Sequence, residues 1–219
     1  AGCTAAASAA REGAKTLLIE ATGSLGGMGT SGLVPAWCPF SDKEQIIYRG
    51  MAQTVFERSK ALSPHVAPGD ADWVPIDPEG LKRVYDELVT EYGVTVLFST
   101  FLCDVDAEDG AVRAIVVSNK SGFTAYSAKT YVDCTGDGDL AVWAGADYEF
   151  GENGEPMPST LCFSLANVDL YAYLYHPKYG MRSGGMHPNN RNSFTHLLPG
   201  DARFPDILDT HLCNNIIGP

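Results

Sequence analysis

The sequence predicts an α/β fold in which a parallel sheet carried by helices is joined to an antiparallel β-meander. Two observations carry this. An alanine-rich helical segment, residues 1 to 13, runs into the apolar run Thr16-Leu17-Leu18-Ile19, and a second helical pattern from Asp77 to Tyr92 runs into Val94-Thr95-Val96-Leu97-Phe98. A helix followed by a short apolar run between turn signals is the pattern of parallel strands joined by crossover helices. From residue 101 onward, three β-type runs at about 101–106, 111–118 and 122–133 are separated by Glu108-Asp109-Gly110 and Lys120-Ser121-Gly122. Those turns make the three runs a meander.

Each element has a local reason. Small residues let the first helix lie close to a sheet, and Gly13 is its expected C-cap. The strand Thr16–Ile19 is expected to be buried and is closed by Glu20. The chain reads as opening inside a βαβ unit whose first strand precedes Ala1, and its end reads as a cut as well. Residues 22–40 are loop-like, with glycines at 23, 26, 27, 29 and 32. Residues 43–62 have the pattern of an amphipathic helix. Residues 63–76, rich in Pro, Asp and Gly, read as a surface excursion. Asp77-Pro78-Glu79 is a helix start, with aspartate as N-cap and proline at the first helical position. Leu81, Val84, Tyr85, Leu88 and Tyr92 then form one apolar face, and Gly93 ends the helix. The meander returns through Tyr131-Val132-Asp133 to Cys134-Thr135-Gly136-Asp137-Gly138-Asp139, followed by a helix from about 140 to 145. Past residue 150 periodicity fades. This places a first domain at 1–150, with a helical insertion at about 43–76, and a second, partial domain at 151–219.

Composition narrows the function. Apolar residues make up 45% of the 219-residue chain, which is enough for a packed core, and the net charge is −12. A chain this acidic repels a phosphate backbone, so nucleic acid is excluded as a partner. No run approaches the 18 or so apolar residues of a membrane span. The cysteines at 3, 38, 103, 134, 162 and 213 form no CxxC pair, which argues against a structural zinc site or a redox dithiol and favours a reducing, cytoplasmic setting.

Three motifs carry chemistry. In a dinucleotide-binding fold, a pyrophosphate rests on a helix N-terminus beside a glycine turn, and an acidic residue at the end of the next strand takes the ribose hydroxyls. Gly2 and Glu20 fit that spacing, as they also fit an ordinary α/β packing unit. The loop after Glu20, with Gly26, Gly27 and Met28, lets backbone run along a cofactor's pyrophosphate and ribityl chain, or is a flexible surface loop. Thr135-Gly136-Asp137 follows a strand and precedes a helix. There Asp137 can receive a ribityl hydroxyl or order a water, and the alternative is a turn that feeds an N-cap at Asp139.

Taken together, the motifs resemble the bacterial FAD-dependent oxidoreductase family. Its members read GGGPAG, then a run such as AAAxAAREGAKVLLIE, then LGGMxTxGLVP. The matching stretches here are Ala1–Glu20 and Leu25–Pro35. Similarity continues in Pro75–Glu79 and the helix after it, in Val132–Ala141 and Ala144-Gly145-Ala146, and in Pro158–Phe163 with Asn167-Val168-Asp169. The resemblance spans roughly residues 1–170. It implies the two-domain, Rossmann-like flavoprotein fold of the glutathione reductase type, with FAD as cofactor and backbone near Phe101 and Leu102 meeting the adenine. The chain departs from the family pattern in three ways: the turn glycines before Ala1 and the late flavin-contacting segment are absent, and Cys134-Thr135-Gly136 stands where Ala-Thr-Gly is usual.

The expected activity is hydride transfer from a small organic substrate to the flavin, with reoxidation by a separate acceptor. The expected cofactor residues are Gly2, Glu20, Gly26, Gly27, Met28, Leu102, Thr135, Gly136 and Asp137. No residue is assigned as catalytic base and none as metal ligand. His65, His176, His187, His196 and His211 are too far apart to make a metal pair, and the aromatic stretch 171–176 reads as packing surface. Two alternatives stand beside this reading. An NAD(P)-dependent dehydrogenase would show one continuous doubly wound sheet. A non-catalytic flavin-binding subunit would hold the cofactor without turning it over.

Overall fold

The computed structural model describes residues 1–164 except 39, 43, 65, 72 and 158. In chain order the elements are α1 (Gly2–Arg11), β1 (Leu17–Ile19), a 3-10 turn at Gly27–Gly29, β2 (Ala36–Trp37), α2 (Met51–Ala61), β3 (Val74–Pro75) and α3 (Pro78–Glu91). After these come β4 (Thr95–Leu97), β5 (Phe101–Glu108), β6 (Ala111–Asn119), β7 (Gly122–Tyr126) and α4 (Asp139–Trp143). The described residues fall into two compact units, one made of Ala1–Gly27 with Lys82–Met157 and the other of Met28–Leu81 with residues 159–164.

In the first unit, β1 and β4 pair in parallel, with Leu17 opposite Thr95 and Ile19 opposite Leu97. β5, β6 and β7 form the antiparallel meander. The predicted mixture of parallel sheet and meander is therefore present. The core gathers Cys3 and Ala6 of α1, Leu25, and Val89 and Val94 on and just after α3, with Tyr85 and Leu18 packed against them. Gly13 adopts φ +88 just beyond α1 and Gly93 φ +68 beyond α3, the left-handed stops that the sequence predicts. Asp77 accepts a hydrogen bond from the Glu79 amide (3.1 Å) at the start of α3.

Two expectations for this unit are corrected. β1 is only half-buried, and Leu17 is 40% exposed, because among the described residues β1 ladders with β4 alone. The third meander strand stops at Tyr126, not near 133. Among the described residues no neighbouring strand supplies ladder bonds to Tyr131-Val132-Asp133. Tyr131 is held by its hydroxyl instead, which accepts from the Ala128 amide (2.7 Å) and lies 2.8 Å from the Arg113 carbonyl.

The second unit has an aromatic core. The Phe40 and Phe56 rings stack at 4.3 Å, and Trp37 meets both edge-on. Val66 and Val74 close the cluster. The predicted surface excursion at 63–76 is thus wrong in part: β3 pairs with β2, and Val74 is fully buried. The predicted helix over 43–62 is also shortened to Met51–Ala61. The Asp42 carboxylate accepts the amides of Gln45 (2.7 Å) and Glu44 (2.9 Å), which holds its carboxyl below the usual value. The chain turns back on itself here, with Ser41 bridged to Ile46 and the Ile47 amide donating to the Phe40 carbonyl (3.2 Å), so the helix does not start at this point. Gly50 at φ +67 then delays the helix to Met51. Lys60 is 8% exposed. Its ammonium donates to the carbonyls of Pro68 (2.8 Å) and Asp70 (3.1 Å), pairs with Glu57, and lies 4.8 Å from the Phe56 ring centre.

Candidate functional site

α1 is a ten-residue helix with no acidic residue in its first turn and no side-chain cap at Ala1. The free amides at its start make a partial positive charge that suits an anion. Gly2 lies close to two neighbours: a Cβ there would be 3.4 Å from Cys134 Cβ and 3.4 Å from Leu18 Cδ1, at ordinary contact distance. The helix start thus sits against both β1 and the Cys134–Asp139 turn.

Glu20 follows β1. Its amide donates to the Leu97 carbonyl (2.9 Å), and its carbonyl accepts from the Thr100 amide (3.0 Å). Those bonds tie Glu20 to β4 on one side and to the start of β5, with Phe101 and Leu102, on the other. The Thr22 amide and hydroxyl both lie 2.8 Å from Glu20 Oε1, so the carboxylate is held by one oxygen in a fixed orientation. A half-buried carboxylate fixed in this way can accept hydrogen bonds from a vicinal diol.

The loop beyond Glu20 is anchored, since Leu25 is 1% exposed. Gly26 and Gly27 adopt φ +111 and +61, backbone angles that side-chain-bearing residues rarely take. Burial pushes the Cys3 thiol up. Cys3 packs with Leu25 in the same apolar cluster, with Leu18 against it, which ties this loop to α1 and β1.

The third motif is a hydrogen-bonded turn. Asp133 Oδ1 accepts from the Thr135 amide (2.9 Å) and hydroxyl (2.8 Å), and Oδ2 accepts from the Ala141 amide (3.0 Å). Thr135 Oγ1 accepts from the amides of Gly138 (3.1 Å) and Asp139 (3.0 Å). Partial burial raises the Asp133 carboxyl, but the hydrogen bonds from Thr135, Ala141 and Leu140 outweigh it, and the group is held below its ordinary value. Gly136 takes φ +106 with open space around it, and Asp137 is exposed. The N-cap of α4 is Gly138, not Asp139.

The structure thus brings Gly2, Glu20, Gly26 and the Thr135–Asp137 turn into one unit, with Gly27 next in the chain. Leu102 lies half-buried in β5 opposite Val117. Met28, 70% exposed, belongs to the other unit. Sequence reading missed Asp133, Thr22 and Cys3. The Asp-x-Thr and Glu-x-Thr spacings were the available signal, because a carboxylate two residues before a threonine can take both its amide and its hydroxyl. No cluster of His, Cys, Asp and Glu suited to a metal occurs among the described residues. His65, His176, His187, His196, His211, Cys213, the stretch 171–176 and Asn167-Val168-Asp169 lie outside them.

The model of one family, FAD dependent oxidoreductase, matches residues 1–210. The chain belongs to that family. As an FAD-dependent oxidoreductase family member its cofactor is FAD, and the residues present fit it. A positive helix end, an oriented carboxylate and open glycine backbone are the donor and acceptor set that a dinucleotide requires. Among the described residues the strands form a parallel pair, an antiparallel pair and a three-stranded meander. No curated protein matches the chain. Among solved structures, Thermovibrio ammonificans THI4 is similar, with a TM-score of 0.47 and 16% identity over 64% of this chain and 56% of that one. The match thus spans little more than half of that protein. No helix among the described residues is long and apolar enough to cross a membrane.

Proposed function

We propose that this FAD-dependent oxidoreductase family member takes a hydride from a small organic substrate, with the cofactor held by the unit of Ala1–Gly27 and Lys82–Met157. The observation that carries the proposal is the packing of Gly2 against Cys134 and Leu18, which sets the start of α1 beside the Cys134–Asp139 turn. When bound, FAD supplies reversible two-electron chemistry at its ring. The protein's own part is binding and orientation. The first amides of α1 receive the pyrophosphate, and Glu20 accepts from the ribose hydroxyls. Backbone at Gly26, Gly27 and Gly136 approaches the cofactor closely, with Met28 next to it in sequence. Leu102 offers backbone to the adenine, and Asp137 accepts from the ribityl chain. In this reading residues 1–150 are the cofactor domain, with 43–76 inserted, and 151–219 begin the domain that selects the substrate. That Cys3, Cys103 and Cys134 stand outside any disulfide suits a reducing, cytoplasmic setting.

The test is the visible spectrum of the purified full-length protein. Flavin bands at roughly 370 and 450 nm, from the chemistry of the cofactor itself, are expected. Glu20→Ala is expected to weaken FAD binding by about tenfold to a hundredfold, the loss for one or two hydrogen bonds to a charged group. A colourless, folded protein that takes up no added FAD would overturn the proposal. Loss of colour on anaerobic addition of candidate donors then separates an enzyme from a flavin-holding subunit.

A further inference from the structure

Gly136 and Gly138 place two freely rotating residues around Asp137, with φ of +106 and +78. Glycine loses more backbone freedom on ordering than any other residue, so such a turn holds one shape only if something fixes it. Here the Asp133 carboxylate and the Thr135 hydroxyl do so from both sides. Oδ1 takes the amide and hydroxyl of Thr135, at 2.9 and 2.8 Å, just before the glycines. Oδ2 takes the Ala141 amide, at 3.0 Å, just after them. The Thr135 hydroxyl donates to Asp133 and accepts from Gly138 (3.1 Å) and Asp139 (3.0 Å).

A hydroxyl has one proton to donate and two lone pairs. In Thr135 all three are engaged within the turn. Its side chain therefore has nothing left to offer a ligand, and its contribution to a bound cofactor passes through the backbone that it shapes. Asp133 is half-buried and spends both oxygens inward. A neutral side chain would cap α4 as well as a carboxylate in many helices. The carboxylate is distinctive in gripping the two ends of the Thr135–Ala141 segment at once.

We infer that Asp133, acting through Thr135, is a positioning residue for FAD: it locks the Gly136–Asp137 turn in the shape that the cofactor meets. The inference rests on the proposed cofactor role of that turn. In the bound state the pair is not in contact with the cofactor. Its effect is to have the turn ordered beforehand, so that binding does not have to order two glycines.

The experiment is FAD titration of the full-length protein and its Asp133→Ala, Thr135→Val and Thr135→Ser variants, followed by flavin fluorescence. Hydrogen exchange at the Gly138, Asp139 and Ala141 amides is read in the same proteins. Asp133→Ala and Thr135→Val are each expected to raise the FAD dissociation constant about tenfold, the size of one hydrogen bond to a charged group. Both should also speed exchange at those amides. Thr135→Ser keeps the hydroxyl and should bind within about twofold of wild type. The double variant should bind no worse than the poorer single one, since both act through one network. Should Asp133→Ala fail to fold, Asp133→Asn replaces it, and a rise of about threefold is expected because one acceptor oxygen is retained. If the amides lose protection while the variants bind FAD as wild type does, the positioning inference falls and the cofactor reading stands. If wild type binds no FAD, both fall.

Discussion

The glycine loop holds two positions at which the same substitution should act in opposite directions. At Gly32, an added Cβ would lie 2.9 Å from Met28 Cα and 3.0 Å from the Met28 carbonyl oxygen. Carbon atoms in contact prefer about 3.5–4.0 Å, so the methyl would overlap backbone by more than half an ångström. The backbone at Met28 has little room to retreat, because its carbonyl accepts the Val34 amide at 2.9 Å. At Gly23 an added Cβ meets nothing within 4 Å, and the backbone is not left-handed. Gly→Ala removes freedom from the unfolded chain, a gain of about 0.4–1 kcal/mol wherever the native backbone tolerates it. Gly23→Ala should therefore be stabilising by about 0.5 kcal/mol. Gly32→Ala gains the same amount but incurs overpacking of about 1–3 kcal/mol, for a net loss of about 1–2 kcal/mol. In thermal unfolding the two variants should lie about 4–8 °C apart, at about 2–4 °C for each kcal/mol in a chain of this length. Equal melting temperatures would refute the close approach of Gly32 to Met28.

Two further outcomes follow from the same structure. Lys60→Met keeps the apolar stem over Phe56 but leaves the Pro68 and Asp70 carbonyls without their ammonium donor. It should cost about 2 kcal/mol and show as faster hydrogen exchange in 66–70; an unchanged protein would mean that water serves those carbonyls equally well. Burial pushes the Tyr85 phenol up to about 12, with a smaller contribution from Cys3. A raised folded value stabilises fully below the ordinary value of 10.0 and is lost as pH rises towards the folded one, so wild type should weaken between these limits. Tyr85→Phe should flatten that alkaline loss, and identical alkaline profiles for the two proteins would count against a buried phenol.

Much of the local structure around the candidate site was legible because local rules dictate it. The alanine-rich helix ending at Gly13, the Asp77-Pro78 helix start and the turns of the meander each depend on residues within a few positions of one another. Gly2 and Glu20 could be singled out because a helix and a strand of ordinary length fix their separation. The less successful readings share one physical cause. Residues 63–76 look like surface by composition, yet Val74 enters an aromatic core whose other members reach back to Trp37. The periodicity of residues 43–62 suits a helix, but the chain reverses at its start, with Ser41 bridged to Ile46 and the Ile47 amide bonded to the Phe40 carbonyl, so the helix begins only at Met51.

By itself the sequence determined the fold class, the family motifs and the cofactor, because glycine turns, caps and alternating strands are local instructions. Only the tertiary structure decided which residues those motifs serve. Gly2 lies beside Cys134 and Leu18, and the Thr135 hydroxyl is consumed within its own turn by Asp133, Gly138 and Asp139. Both facts depend on distances between atoms whose direction a one-dimensional pattern does not carry. A hydrogen bond or a van der Waals contact depends steeply on separation, so a role assigned by residue type becomes definite only once the chain has folded.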